Sequence, residues 1–219
     1  MASQIAHIIY AKKYFDSLEL KKFEDLSPEE KLLAPSNKIN KDEFILGCVF
    51  PDIRKIDKSI KRKDTHLRFE PLDLDFSGLT SFEAGWKFHL YCDMKREEIL
   101  NKYEFYVLPR TTEMFGQPAK MLEDELIYED YNNWEKILHY FNNTPYFDSD
   151  IDVSSETFGL WYAMVSKYIE KKPDNKSIKI FQSKQKMSID PNELIQIVDE
   201  LRKDDRVVGI LKKVKDEII

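Results

Sequence analysis

The sequence predicts an all-α, multi-helix bundle, and three observations carry that expectation. Glycine is scarce, with 6 in 219 residues. The apolar positions of long segments recur at helical spacing rather than at the alternation of a strand. Three helix-start signatures punctuate the chain: Ser27-Pro28-Glu29-Glu30, Thr80-Ser81-Phe82-Glu83 and Asp190-Pro191-Asn192-Glu193. Each sets a side-chain acceptor before the first turn, and an acid three residues on reaches back to the cap. Hydrophobic residues make up 42% of the chain and aromatic residues 13%, enough apolar surface to bury a core.

The elements follow in order. A first helix is expected over Ser3–Leu18, with Ile5, Ile8, Phe15 and Leu18 among its apolar positions. Ser27 opens a second. A short apolar helix, Glu43–Phe50, is stopped by Pro51, which lacks the N–H that a continuing helix needs. Thr80 caps a helix that runs to about Tyr103. One long helix is expected over Lys120–Phe141, another over Ser155–Lys171, then Glu193–Lys203 and a last amphipathic segment, Arg206–Ile219. Between Lys172 and Ser188 the chain turns polar and basic, with Pro173, Asp174 and Asn175 marking a loop and Ser177–Gln182 reading as a short strand. Residues 1–172 therefore form the expected helical core, and residues 173–219 either a small C-terminal appendage or a continuation of it.

Lys and Arg total 34 against 40 Asp and Glu, a formal charge of -6. That balance argues against a general duplex-DNA or anionic-membrane binder. The opening MASQIAHIIYAKKYF has neither a basic n-region nor an apolar h-region, and no stretch reaches the roughly 18 apolar residues of a membrane span. Two cysteines, Cys48 and Cys92, make no disulfide framework; buried, inert thiols in a reducing, cytoplasmic setting are expected.

The informative segment for chemistry is Phe82–Asp93. Phe82, Trp86, His89, Asp93 and Leu100 are separated by steps of 4, 3, 4 and 7, which is one stripe of a helix. Two metal-ligand types therefore share a stripe with bulky core residues. Burying an unpaired carboxylate costs several kcal/mol, and a bound cation offsets that cost; a buried His–Asp hydrogen bond is the plainer reading. Of the four histidines, three stand beside acids or in apolar surroundings. His7 is flanked by Ile5, Ala6, Ile8 and Ile9. Asp52 ends the apolar run Phe44–Pro51, and His66 follows it fourteen residues later, in Asp64-Thr65-His66. His139 has no acid at ligand spacing and reads as structural. Imidazole and carboxylate together suit zinc or another divalent first-row transition metal, in one or two ions. The segment Arg54–Lys63 carries six positive residues and one negative. It is either a cationic rim for phosphorylated substrates, through Lys55, Lys58, Lys61 and Arg62, or a solvated loop.

Three stretches resemble the zinc-dependent phospholipase C family, whose fold is related to that of the single-strand-specific zinc nucleases. They are a histidine in an N-terminal helix (His7), a Gly-x-x-x-Pro-Asp segment (Gly47–Asp52) followed by Thr65-His66, and Gly-Trp-x-x-His-x-x-x-Asp (Gly85–Asp93). The resemblance covers residues 3–95. It implies a bundle with interior metals: Asp52, His66, His89 and Asp93 on one zinc, His7 and a bridging Asp93 on a second. It also implies hydrolysis of a phosphate ester by metal-activated water, with Asp52 as a general base. The chain departs from the family downstream, where an HxxxE pair is absent and His139 is followed four later by Asn143. The expected function is a metal-dependent phosphoesterase acting on a small phosphorylated substrate. The alternative is a non-catalytic, metal-stabilised scaffold or protein-binding module.

Overall fold

The structure is a computed structural model that describes residues 3–20, 39–147 and 149–219. The helix start at Ser27 lies outside the described residues. Among those residues are ten α-helices, short 3-10 turns and no strand. The helices are α1 (Gln4–Leu20), α2 (Lys41–Val49), α3 (Arg62–His66), α4 (Ser81–Lys102), α5 (Gln117–Ile127), α6 (Trp134–Asn142), α7 (Ser155–Ile169), α8 (Asn175–Ser183), α9 (Pro191–Leu201) and α10 (Asp205–Glu217). The all-α expectation holds.

Several boundaries follow from side-chain caps. Thr80 accepts from Glu83 N while Glu83 reaches back to Thr80 N, the reciprocal box that opens α4. Asn40 caps α2, Ser154 caps α7, and Asp190 with Pro191 opens α9. At its C-terminus α2 hands over to a 3-10 turn, Phe50–Lys55, carrying Pro51 near its start. Side chains from α7 tie down the end of α2: Trp161 Nε1 donates to Val49 O at 3.0 Å, and the Tyr162 hydroxyl to Leu46 O at 2.8 Å, a carbonyl that also accepts from Phe50 N.

Two expectations are corrected. Lys120–Phe141 is not one helix: α5 stops at Ile127, a 3-10 turn covers Tyr128–Asp130, and α6 starts at Trp134. The turn is held by Tyr128, whose ring stacks on Trp134 at 4.7 Å and whose carbonyl accepts from Trp134 Nε1. The break lets α5 pack on α1, α9 and α10 while α6 packs on α7. Ser177–Gln182 is not a strand but lies in α8, opened by Asp174, which accepts from Ser177 N. Ile178, Phe181 and Gln182 are buried at steps of three and one, while Ile180 is exposed, a helical face rather than an alternating one.

The centre of the molecule is the crossing of α2 and α4. Gly47 and Gly85 face the other helix's backbone so closely that a Cβ on Gly47 would lie 2.0 Å from Phe82 O, and one on Gly85 1.9 Å from Phe44 O. With both positions bare, the helices touch backbone to backbone. α1 lies across this pair and against α5. The helices of residues 173–219 contribute Leu194, Ile197, Val198, Leu201, Val207, Leu211 and Val214 to the same apolar cluster as α1, α2 and α4.

Candidate metal centre

His7, Asp52, His66, His89 and Asp93 come from α1, the 3-10 turn, α3 and α4, and all five are buried. Their ligand atoms form two triads, His7/His89/Asp93 and Asp52/His66/His89, in each of which one atom per residue lies within 4.8 Å of the others. His7 Nε2 is 3.4 Å from Asp93 Oδ1, and His89 Nε2 is 3.6 Å from Asp93 Oδ2. The rings of His7 and His89 stack at 3.8 Å, and His66 meets His89 edge-on at 5.4 Å.

A second layer of contacts aims these side chains. The close α2–α4 crossing brings Cys48 O to His89 Nδ1, which donates to it at 2.7 Å. That bond fixes the tautomer and leaves Nε2 as the lone-pair nitrogen. His66 Nδ1 is hydrogen-bonded to Thr65 Oγ1 at 2.7 Å, and Trp86 Nε1 pins Thr65 O at 2.7 Å. Asp52 Oδ2 accepts from Gln4 Nε2 at 2.7 Å and Lys55 Nζ at 2.6 Å. The remaining atoms of this triad, Asp52 Oδ1, His66 Nε2 and His89 Nε2, are buried without a hydrogen-bond partner among the described residues. Buried polar atoms are nearly always satisfied, and these three are a carboxylate oxygen and two imidazole nitrogens, the donor set of a first-row divalent ion. The residues fit a metal.

The electrostatics keep the donors ready. Burial pushes the His89 imidazole well below its ordinary range, with the adjacent His7 adding to the effect. Burial likewise lowers His66 to about 4 against the pull of Asp52 and Asp93. Burial alone would raise Asp52, but the adjacent Lys55 ammonium leads the charges that outweigh it and hold the carboxyl below the usual range. Asp93 is likewise held well below the usual range despite its burial. At neutral pH His66 and His89 are therefore neutral and Asp52 and Asp93 ionised, the protonation states that bind metal.

The two triads share His89, whereas the resemblance implies a shared Asp93. A His89 whose Nδ1 is committed to Cys48 O has one free nitrogen and serves one ion. Asp93 has two oxygens, one toward His7 and one toward His89, and is the group able to serve two.

Comparison of the chain with protein-family models, curated proteins and solved structures found no match. The reading of the site therefore stands on its own atoms.

His66 and Asp93 line a cleft of about 480 Å³. Arg62, Arg96 and Lys120 line it with the apolar Leu67, Leu72, Leu90 and Phe115. Phe115 stands 88% exposed at the mouth, on a turn where Met114, Phe115 and Gly116 all have positive φ. Of the four cations expected as a substrate rim, Arg62 lines the cleft, and Lys58 and Lys61 are exposed beside it in sequence. Lys55 departs from the rim: it is 5% exposed and its ammonium is committed to Asp52. His139 is exposed on α6 and outside the cluster, and Cys48 and Cys92 are free, buried thiols whose pKa burial raises. Four residues at this site were not singled out by the sequence in the roles they play: Gln4, Lys55 as the partner of Asp52, Arg96 and Lys120. The i,i+3 spacing of Asp52 and Lys55 was the one available signal among them.

No helix of the described residues is long and apolar enough to cross a membrane.

Proposed function

We propose that the chain is a metal-dependent hydrolase of phosphate esters, built on the plan of the zinc-dependent phospholipase C family. The observation that carries the reading is the meeting of a buried His/Asp cluster with a cleft: His66 and Asp93 belong to both, and Arg62, Arg96 and Lys120 line the same space together with Glu97. A metal that served stability alone would need no such opening.

A bound zinc or similar ion would polarise a phosphoryl oxygen and lower the pKa of a coordinated water towards neutrality. The chain's own residues divide the remaining work. His66 and His89 supply neutral nitrogens from rings held by Thr65 and by Cys48 O, and His7 adds a third imidazole beside Asp93. Asp52 is 1% exposed, has one oxygen taken by Gln4 and Lys55, and does not line the cleft. We therefore assign it as a ligand held from behind rather than as the general base that the resemblance implies. Asp93 is the carboxylate at the cleft wall, placed to accept a hydrogen bond from water entering there. The apolar side chains around the mouth exclude bulk water and accommodate the organic part of an ester.

The test is metal content by plasma mass spectrometry on untagged protein, with hydrolysis of chromogenic phosphate mono- and diesters measured alongside. The expected result is one or two equivalents of a first-row metal and ester cleavage, both abolished in a His89→Ala, Asp93→Ala double variant. Metal retained with no cleavage of either ester would assign the ion a purely structural role. A folded protein that takes up no metal would remove the hydrolase reading altogether.

A further inference from the structure

Four cationic side chains stand at the cleft or directly behind it, and three are accounted for. Lys55 is bound to Asp52 at 2.6 Å. Arg96 is bound to Glu123 at 2.7 Å. Arg62 is exposed to solvent at the rim. The fourth, Lys120 on α5, is different: it is 5% exposed, and among the described residues its ammonium donates only to the Phe115 carbonyl at 3.5 Å, a long contact for an ammonium.

Its helical neighbours do not neutralise it. Glu123 and Asp124 stand three and four residues on, the spacing at which a lysine usually finds its acid. Glu123 is occupied by Arg96 and by the Tyr10 hydroxyl, and Asp124 Oδ1 accepts from Ala6 N at 2.9 Å. Asp93 and Asp52 act on Lys120 only through space, without an ion pair. A buried ammonium without a carboxylate is costly, and here it lines the cleft that His66 and Asp93 also line.

We propose that Lys120, with Arg62 at the rim, forms an oxyanion subsite that holds phosphate oxygens of the substrate beside His66 and Asp93. The biological ligand rests on the phosphate-ester reading of the same cleft; the capacity to bind an oxyanion does not. Burial, with Lys55 and Arg96 nearby, lowers the Lys120 pKa to about 8, so the group is still a cation at neutral pH. An ammonium is a compact point charge with three donors, suited to a phosphoryl group whose charge is spread over several oxygens. The metal ligands position the ester from one side of the cleft, and Lys120 fixes it from the α5 side.

The test is binding of inorganic phosphate by isothermal titration calorimetry to the wild type, Lys120→Met and Lys120→Arg, each zinc-loaded and desalted and each stripped with chelator, with zinc content measured. Lys120→Met is expected to weaken phosphate at least about tenfold while binding zinc as the wild type does, and Lys120→Arg to stay within about threefold. Lys120→Met that holds phosphate as tightly as the wild type overturns the subsite and leaves the metal reading standing. Phosphate binding that depends on Lys120 in a protein that takes no zinc supports the subsite and overturns the metal reading. A measurement on the wild type alone guards against a variant that fails to fold: phosphate should protect Lys120 from reductive methylation while the exposed Lys212 and Lys213 react unchanged. Equal labelling of Lys120 with and without phosphate overturns the proposal.

Discussion

Asp124 shows how a residue away from the ligands holds one of them in place. Its carboxyl is fully buried and accepts the backbone N–H of Ala6, the residue before His7, so it fixes the first turns of α1 against α5. Burial raises its pKa from 3.8 to about 7. In the window between those values the folded chain holds a proton that the unfolded chain has released, so stability falls as pH rises through it. At about 1.4 kcal/mol per unit, the part of this loss between pH 5 and pH 8 is on the order of 2–3 kcal/mol. Asp124→Asn keeps an acceptor for Ala6 N but cannot ionise. Relative to the wild type, the variant should gain that amount between pH 5 and pH 8, read from urea denaturation at the two values. A difference between the proteins that is the same at both would mean that Asp124 does not titrate with folding. Such a residue is invisible in the sequence, where Glu123-Asp124-Glu125 looks like part of a solvated face. His7, His89 and Asp93 could be read because ligand types sat on apolar stripes. Gln4 and Lys120 could not, because a polar side chain on a helix carries no mark of the direction it will face until its neighbours are packed.

At the scale of the element, the two glycines of the α2–α4 crossing separate what a motif records from why it is there. Gly47 and Gly85 were legible as fixed points of the resemblance, but spacing alone gave no reason for either. The structure supplies it: a Cβ at Gly85 would lie 1.9 Å from the Phe44 carbonyl oxygen, a backbone atom that cannot step aside without separating the helices. The crossing also delivers Cys48 O to His89, so separation would disturb the metal centre as well. Overpacking a core costs about 1–3 kcal/mol and sometimes more, and Gly85→Ala should reach or exceed the top of that range. Gly159 and Gly209 are the controls, since each lies within a helix with nothing within 4 Å of an added Cβ. Gly159→Ala and Gly209→Ala should stabilise by roughly 0.5–1 kcal/mol through helix propensity. Chemical denaturation of the three variants decides the matter, and a Gly85→Ala protein as stable as the wild type would contradict the crossing. The capped helix starts at Thr80 and Asp190 were readable because a cap is local chemistry. The break at Tyr128–Asn133 was not, because it depends on Tyr128 stacking on Trp134 and on α5 and α6 having different partners. The strand expected at Ser177–Gln182 failed because Ile178 is buried while Ile180, two residues on, is exposed, and the adjacent Phe181 and Gln182 are both buried, an arrangement that packing against α7 and α9 selects.

At the scale of the molecule, the five candidate ligands lie far apart in sequence, from residue 7 to residue 93, and join α1, the Phe50–Lys55 turn, α3 and α4. No two of these segments other than the turn and α3 are held together by local chain connection at the site, and in the unfolded chain the donors have no common geometry. An ion that binds the folded arrangement and not the unfolded chain must raise stability by RT ln(1 + [L]/Kd), about 2.7 kcal/mol when free metal is a hundredfold above Kd. For a chain of this size each kcal/mol moves Tm by about 2–4 °C, so zinc should raise Tm by roughly 5–10 °C over chelator-treated protein. The same shift should survive in Gly159→Ala, which is remote from the centre, and vanish in His89→Ala, whose ring belongs to both triads. Differential scanning calorimetry of the three proteins with zinc and with chelator makes the comparison. A zinc-dependent rise that persists undiminished in His89→Ala would place the ion on surface carboxylates instead. The outcome also bears on how the cluster is used. A shift lost in His89→Ala but only halved in His7→Ala would show that the Asp52/His66/His89 triad fills without its neighbour, as expected if Asp93 serves two ions and His7 only the second.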